Sequence, residues 1–278
     1  MHSRGFIVLR GTAFHVFMIF GAFLLIAPVL WMLSASFMTR EDILSTPINY
    51  IPPTWRPENY EDIFVRFNLG RFLLNSVVVT SAVVTLNVLL SSCVGYSLAK
   101  FRYPGRNILF LLMLSTIMVP FTVIMIPLFT LLRELNWINT YQGLISPFAL
   151  SGLGVFLMRQ FMVSIPDSYI EAARIDGASE LGIFLRIILP MSRPAMVTLA
   201  IFTYITNWDE FLWPLIITTG EDYRTLPIGL SKFLEQYSNQ WHLLMAGATV
   251  AALPVLIAFF LMQRKFLESG GGLSGLKG

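Results

Sequence analysis

Long apolar runs alternate with short polar ones along the chain. Stretches free of Asp, Glu, Lys and Arg lie between Arg10 and Arg40, between Arg71 and Lys100, and between Arg106 and Arg133. A fourth runs from Glu134 to Arg159, its apolar part shortened by polar residues up to Gln142. A fifth, Pro194 to Thr219, is interrupted by Asp209 and Glu210, and a sixth lies between Glu235 and Arg264. A helix needs about 20 mostly apolar residues to cross the hydrocarbon core. The pattern therefore predicts an all-α integral membrane protein, a single domain over 1–278 with six transmembrane helices. They fall at about 14–37, 73–98, 107–132, 143–163, 194–219 and 243–263. The first run holds 29 uncharged residues after Arg10, far beyond the roughly 7–15 of a signal-peptide core, and reads as a retained span. Pro28, Pro120, Pro127, Pro214 and Pro254 fall inside spans, where each removes a backbone donor. Pro120 and Pro127, two turns apart, predict a bent third span around a cavity.

Composition agrees. The chain is 55% hydrophobic and 13% charged, against roughly 25% charged in soluble domains, and its mean hydropathy is +0.69. A net charge of +3 is too small to suggest nucleic acid. Six spans put both termini on one side, and twelve of the 19 basic residues fall in the N-terminus, 100–106, 159–193 and the tail 264–278. By the positive-inside rule those segments are cytoplasmic, as fits an inner-membrane protein with basic cytoplasmic loops. The only cysteine, Cys93, excludes an intrachain disulfide and is expected as a small buried packing residue. With His2, His15 and His242 it makes no metal-ligand pattern. No P-loop, G-x-S-x-G or H-E-x-x-H occurs, so the chain reads as a non-catalytic subunit that cannot itself cradle ATP phosphates.

The polar insert 164–193 reads as two short helices. Ser164 is a plausible N-cap, with Pro166 near the first turn and Asp167 three residues on, as in a capping box. Gly177 supplies the left-handed residue that ends the first helix. The second begins near Ser179 and ends before Pro190, with Leu181, Phe184, Leu185 and Ile188 as one apolar stripe. Ala172 and Ala173 permit close approach of another surface, and Glu171 and Arg174 stand one turn apart. Such a segment must bury its stripe against the membrane domain or a partner.

Glu171-Ala172-Ala173, three residues, Gly177, nine residues, then Ile187-Ile188-Leu189-Pro190 resembles the EAA signature of ABC importer permeases. The stretches "LLNSVVVTSAVV", "GYSLAKFRYPGR", "NWDEFLWPL", "YRTLPIGL" and "LPVLIAFFLMQRKFLESG" resemble the carbohydrate-uptake branch, in particular its smaller maltose-transporter-type permease. The resemblance implies the type I importer fold, with a cytoplasmic coupling-helix loop at 164–193 between helices four and five. It assigns ATPase coupling to Glu171, Ala172, Ala173, Arg174, Asp176, Gly177, Leu181 and Phe184. It further implies a homologous second permease and two cytoplasmic ATPase subunits that use ATP and Mg. An extracytoplasmic solute-binding protein would sit over the loops 38–71 and 220–241, and the solute would be of sugar type. The tail 264–278 would reach the ATPase, although Gly270 to Gly272 depart from the family pattern.

Asp209 and Glu210 are acids within a span, which usually face a partner or a water-filled cavity. They could instead lie at the outer interface, with Trp208 and Trp213 as belt residues. Asn75, Ser76, Asn87 and Asn207 could line a substrate pathway with them, although interhelical glue is the commoner role of such side chains. Two other classes stay open. A self-contained secondary carrier or channel would need ion-coupling residues in the spans, and an integral-membrane enzyme would need a catalytic constellation.

Overall fold

The computed structural model of the chain describes the backbone of residues 2–236 and 239–271, and the side chains of 14–234 and 239–260. In chain order the helices are α1 (His2–Ala35), α2 (Arg40–Ile43), α3 (Glu58–Arg66), α4 (Leu69–Lys100), α5 (Arg106–Met118) and α6 (Phe121–Glu134). Then follow α7 (Tyr141–Ile145) with a 3-10 turn (Ser146–Phe148), α8 (Gly152–Val163) and α9 (Ser168–Ile175). α10 (Glu180–Ile183) runs through a π-helical turn (Phe184–Ile188) into α11 (Leu189–Met191). The rest comprises α12 (Arg193–Trp208), α13 (Leu212–Ile217), α14 (Leu226–Gln236) and α15 (Trp241–Gly271). The side chains of the tail 264–278, Gly270 to Gly272 included, and its expected partner contact lie outside the described residues.

Among the described residues, three stretches are unbroken and apolar enough to cross a membrane: Phe14–Ala35, Leu69–Lys100 and Trp241–Phe260. Three further candidates are bent pairs: α5 with α6 at 102°, α7 and its 3-10 turn with α8 at 46°, and α10–α11 with α12 at 74°. The expected bend of the third span falls at Pro120, which ends α5 in extended backbone (φ −59°, ψ 134°) and starts α6, while Pro127 sits inside α6. Proline disfavours α conformation in the residue before it, and Val119 is accordingly extended (φ −87°, ψ 115°).

Contacts divide the chain into two compact units, 1–70 with 229–253 and 71–228 with 254–278. In the first, a capping box starts α2: the Thr39 hydroxyl accepts from the Asp42 N–H, and the Asp42 carboxylate accepts from the Thr39 N–H. Buried Asn59 on α3 donates to the carbonyls of Ser36 and Met38 at 2.8 and 2.9 Å, closing the turn after α1. Gly247 of α15 leaves room for Leu230 of α14.

The second unit is organised around α4. Small residues let α8 lie against it, since a Cβ at Gly95 would come within 2.9 Å of the Met158 Cβ. At Gly154 it would strike the Ser91 hydroxyl and the Asn87 amide. Such small-residue seams are how membrane helices gain dispersion contacts where lipid offers no hydrophobic drive. One core joins α4, α8, the 164–193 segment and α12 through Val88, Tyr96, Met158, Met162, Ile170, Ile183, Ile188 and Leu199. A second gathers Val79, Val83, Met125, Leu132, Leu144 and Ile217 around fully buried Trp213, whose indole N–H donates to the Gly143 carbonyl at 2.9 Å. Cys93, expected in a core, is exposed instead. The packed seam of α4 runs through Ser91, Ser92 and Gly95, so Cys93 falls on another face of the helix.

Candidate functional site

The 164–193 segment is built by local rules at one end and by distant partners at the other. α9 ends in a Schellman closure, with the Gly177 N–H donating to the Arg174 carbonyl at 3.1 Å and the Ala178 N–H to the Ala173 carbonyl at 2.9 Å. Gly177 takes φ +82°, as expected from its position. Ser179 then caps α10 by accepting from the Gly182 N–H at 3.2 Å.

The start of the segment departs from expectation. Ser164 ends α8 as its C-cap and turns its hydroxyl back to the Phe161 carbonyl. Asp167 occupies the N-cap position of α9 without a side-chain capping bond. Its carboxylate is taken by Lys100, 67 residues earlier, at 2.6 Å. The same ammonium donates to the Ile165 carbonyl at 2.5 Å. Lys100 is buried to 6% side-chain exposure whereas Asp167 keeps 66%. A charge-assisted bond to lysine thus replaces a local cap. The ammonium holds the Asp167 carboxyl below the usual carboxylate range, first by hydrogen bonding and then by its charge.

A second anchor lies one turn earlier on α4. The Tyr96 hydroxyl donates to Glu180 at 3.4 Å, and Arg174 binds the other oxygen of that carboxylate at 2.6 Å. Arg174 thereby pairs with Glu180, and Glu171 projects from the exposed side of α9. Tyr96 also stacks on Phe184, ring centroids 5.1 Å apart. Lys100, Phe101, Arg102, Asp167, Ile170, Glu171 and Arg174 line a cavity of about 370 Å³ beside the segment.

The expected apolar stripe divides. Phe184 and Ile188 are buried, joined by Ile183, Ile170 and Ala173, whereas Leu181 (67% exposed) and Leu185 (51%) face outward with Ile175 (86%) and Tyr169 (51%). The buried face follows Ile183, Phe184 and Ile188 and leaves Leu181 and Leu185 at its outer edge, and a π-helical turn runs over Phe184–Ile188. The same turn carries the chain through Pro190 into Met191, where the sequence had suggested a stop. Ala172 and Asp176 lie exposed on α9 and its cap.

The polar residues of the spans are mostly committed. The Asn75 amide donates to the carbonyls of Asp222 and Arg224, both at 2.9 Å, and its oxygen accepts from the Tyr141 hydroxyl at 2.7 Å. Ser76 accepts from the Leu226 N–H at 2.8 Å. Asn87 donates to the Phe148 carbonyl at 3.1 Å and accepts from the hydroxyls of Ser91 and Ser151. Asn207 donates to the Thr203 carbonyl in its own helix at 3.0 Å. The fifth run is two helices rather than one: α12 ends at Trp208 with Asp209 as its C-cap, and Glu210 accepts from the Trp213 N–H at 3.1 Å in the first turn of α13. A carboxylate there satisfies an orphan donor and opposes the helix dipole. Trp208 and Trp213 are buried rather than set out as a belt.

Lys100, Tyr96 and Glu180 are the residues of this site that the sequence did not single out. Charge at the end of an apolar run was the available signal, but its partner lies far along the chain.

The family profile described as "Binding-protein-dependent transport system inner membrane component" matches residues 91–267, a span that includes the whole 164–193 segment. The arabinooligosaccharides transport system permease protein AraQ of Halalkalibacterium halodurans is 38% identical over 93% of this chain and 94% of its own. The diacetylchitobiose uptake system permease protein NgcG of Streptomyces coelicolor is 34% identical over 92% of this chain and 85% of its own. A crystal structure of a bacterial ABC transporter involved in the import of the acidic polysaccharide alginate superposes with a TM-score of 0.84. It covers 96% of this chain and 99% of that one at 22% identity, a likeness of fold.

Proposed function

Because the chain belongs to the family of binding-protein-dependent transport system inner membrane components, we propose that it forms half of the translocation pathway of an ATP-driven sugar importer. Residues 164–193 would couple it to a cytoplasmic ATPase. The observation that carries this reading is the two-faced segment. Ile170, Ala173, Ile183, Phe184 and Ile188 seat it on the membrane helices, while Tyr169, Ile175, Leu181 and Leu185 are left exposed beside Glu171. Exposed apolar groups on a segment otherwise rich in charge fit a protein partner rather than water.

In this reading α1, α4, α5–α6, α7–α8, α12–α13 and α15 make six crossings, with both termini and 164–193 in the cytoplasm. A homologous permease completes the pathway, and an extracytoplasmic binding protein delivers the solute. ATP and Mg belong to two ATPase subunits, whose closure on nucleotide favours one of two permease conformations. The solute is of sugar type, supported by the relatives named for arabinooligosaccharides and diacetylchitobiose. Asn207, Asp209 and Glu210 are the pathway candidates nearest a helix break, whereas Asn75 and Asn87 serve as glue in this conformation.

The test is uptake of labelled oligosaccharide into right-side-out vesicles, with or without ATP enclosed, carrying the chain with its neighbouring-gene subunits. The proposal requires uptake to depend on ATP at the cytoplasmic face and on the binding protein. Uptake by this chain alone, driven by an ion gradient without ATP, would establish the secondary-carrier reading instead.

A further inference from the structure

Positive charge also gathers at the turn between α4 and α5, where Arg102 borders the cavity beside the 164–193 segment and Arg106 borders a second one. Arg102, Tyr103, Gly105, Arg106, Asn107 and Ile108 line a cavity of about 360 Å³. The turn has a defined shape. Gly105 sits at φ +83° and starts α5 without any side-chain cap. One Arg106 guanidinium nitrogen is folded back onto the Phe101 carbonyl at 3.0 Å. The Arg106 N–H reaches the Tyr103 carbonyl and the Leu109 N–H reaches that of Gly105. Among the described residues, no acceptor meets the N–H groups of Asn107 and Ile108 in this first turn.

The charge is only partly compensated: Arg102 acts on Asp167 at a distance, without a direct ion pair. Among the described residues no carboxylate stands within ion-pair distance of Arg102, Arg106 or Arg159. Arg159, on neighbouring α8, is spent on the Leu98 carbonyl at 3.3 Å and lies over the Phe110 ring of α5 at 3.9 Å. Arg106 is near enough for the two cations to oppose each other. A free turn of helix amides beside two arginines favours an anion.

An independent observation says which kind of anion. Ile108 both lines the cavity and begins an exposed apolar stripe on α5 with Leu111 and Leu112, 65%, 62% and 56% exposed. Spaced at i, i+3 and i+4, these side chains form one face leading away from the arginines. A cationic cup that adjoins a greasy face of one helix matches a molecule with an anionic head and hydrocarbon tails. We propose that residues 102–108 bind the phosphate of an anionic phospholipid, with an acyl chain along Ile108, Leu111 and Leu112. The positive-inside assignment of 100–106 puts the site in the cytoplasmic leaflet, where basic pockets at helix ends take such headgroups. The inference rests on the chain spanning a membrane, and it holds whether or not 164–193 grips an ATPase.

The test uses the full-length chain, in the assembly with which it purifies, in nanodiscs of phosphatidylcholine with and without phosphatidylglycerol. Native mass spectrometry counts retained lipid, and a photoactivatable phosphatidylglycerol maps its contacts. Retention of phosphatidylglycerol over phosphatidylcholine, with labelling inside 102–115, is expected. Arg102→Gln with Arg106→Gln should lower that retention about tenfold. Arg102→Lys with Arg106→Lys should keep most of it and so guards against misfolding, and Arg133→Gln, elsewhere on the chain, should change nothing. Equal retention of the two lipids, or labelling confined to other segments, would overturn the proposal. So would displacement of the label by millimolar glycerol phosphate, which would mark a site for soluble phosphate.

Discussion

At its N-terminal end α4 is held by neutral bonds that are almost wholly buried, whereas its C-terminal end is held by charges that reach the surface. Asn75 and Ser76, 1% and 3% exposed, tie the first end to the backbone of Asp222, Arg224 and Leu226. Lys100 and Tyr96 tie the second to Asp167 and Glu180. An Arg71–Asp222 pair at 2.8 Å adds charge to the first end, but both partners are more than half exposed, and such pairs contribute little. Buried amide bonds sit in a low dielectric and become costly once a partner is lost. At the other end the Lys100 ammonium is buried, but the carboxylates of Asp167 and Glu180 reach solvent, where charge is screened and exchanges with water and salt. One end of the helix is therefore held by bonds that salt does not screen, and the other by charges that it does.

The largest effect expected from breaking this contrast is at the buried end. Asn75→Leu leaves two carbonyls and the Tyr141 hydroxyl without their partner, at about 1 kcal/mol or more each, about 3 kcal/mol in all. Unfolding in detergent monitored by protease cutting near 222–226 measures it. Next is Gly95→Leu, which forces α4 from α8 at Met158 and should cost about 2 kcal/mol by overpacking. Its melting temperature should fall while the 222–226 loop stays protected.

The smallest effect on stability should come from Lys100→Met, about 1 kcal/mol, since the Ile165 carbonyl loses its donor while the Asp167 carboxylate stays largely solvated. Its signature is in titration. Lys100 depresses the Asp167 carboxyl in the folded protein. The tether is therefore complete above the ordinary carboxylate pKa of about 3.9 and is lost as pH falls through the lower folded value. Infrared or NMR titration of Asp167 should show that value returning to the ordinary range in Lys100→Met. Asn75 and Ser76, which do not titrate, should hold their end at every such pH.

Much of this architecture was legible from local rules. Pro120 broke the third span because proline constrains itself and its predecessor, and Gly177 took the left-handed turn that the spacing required. The spacing from Glu171 to Pro190 pointed to the family before any coordinates. Local rules failed where a distant residue competed. Ser164 lost its capping role because Asp167 was claimed by Lys100, which no window along the chain brings into view. Leu181 and Leu185 parted from Phe184 and Ile188 because the face that the membrane helices cover centres on Ile183 and is narrower than the apolar stripe. The fifth run divided at 209–211 because a carboxylate beside a helix start makes a better cap than a span interior.

The central claim is that the outward face of 164–193 meets the ATPase while its inward face stays on the membrane helices. With Cys93→Ser as background, single cysteines by Leu181→Cys and Ile183→Cys can be challenged with a short bifunctional cross-linker in the assembled importer. The account expects Leu181→Cys to cross-link to the ATPase in a nucleotide-dependent manner and the buried Ile183→Cys to give no such product. Equal cross-linking from both positions, or none from Leu181→Cys in an importer that still transports, would contradict it.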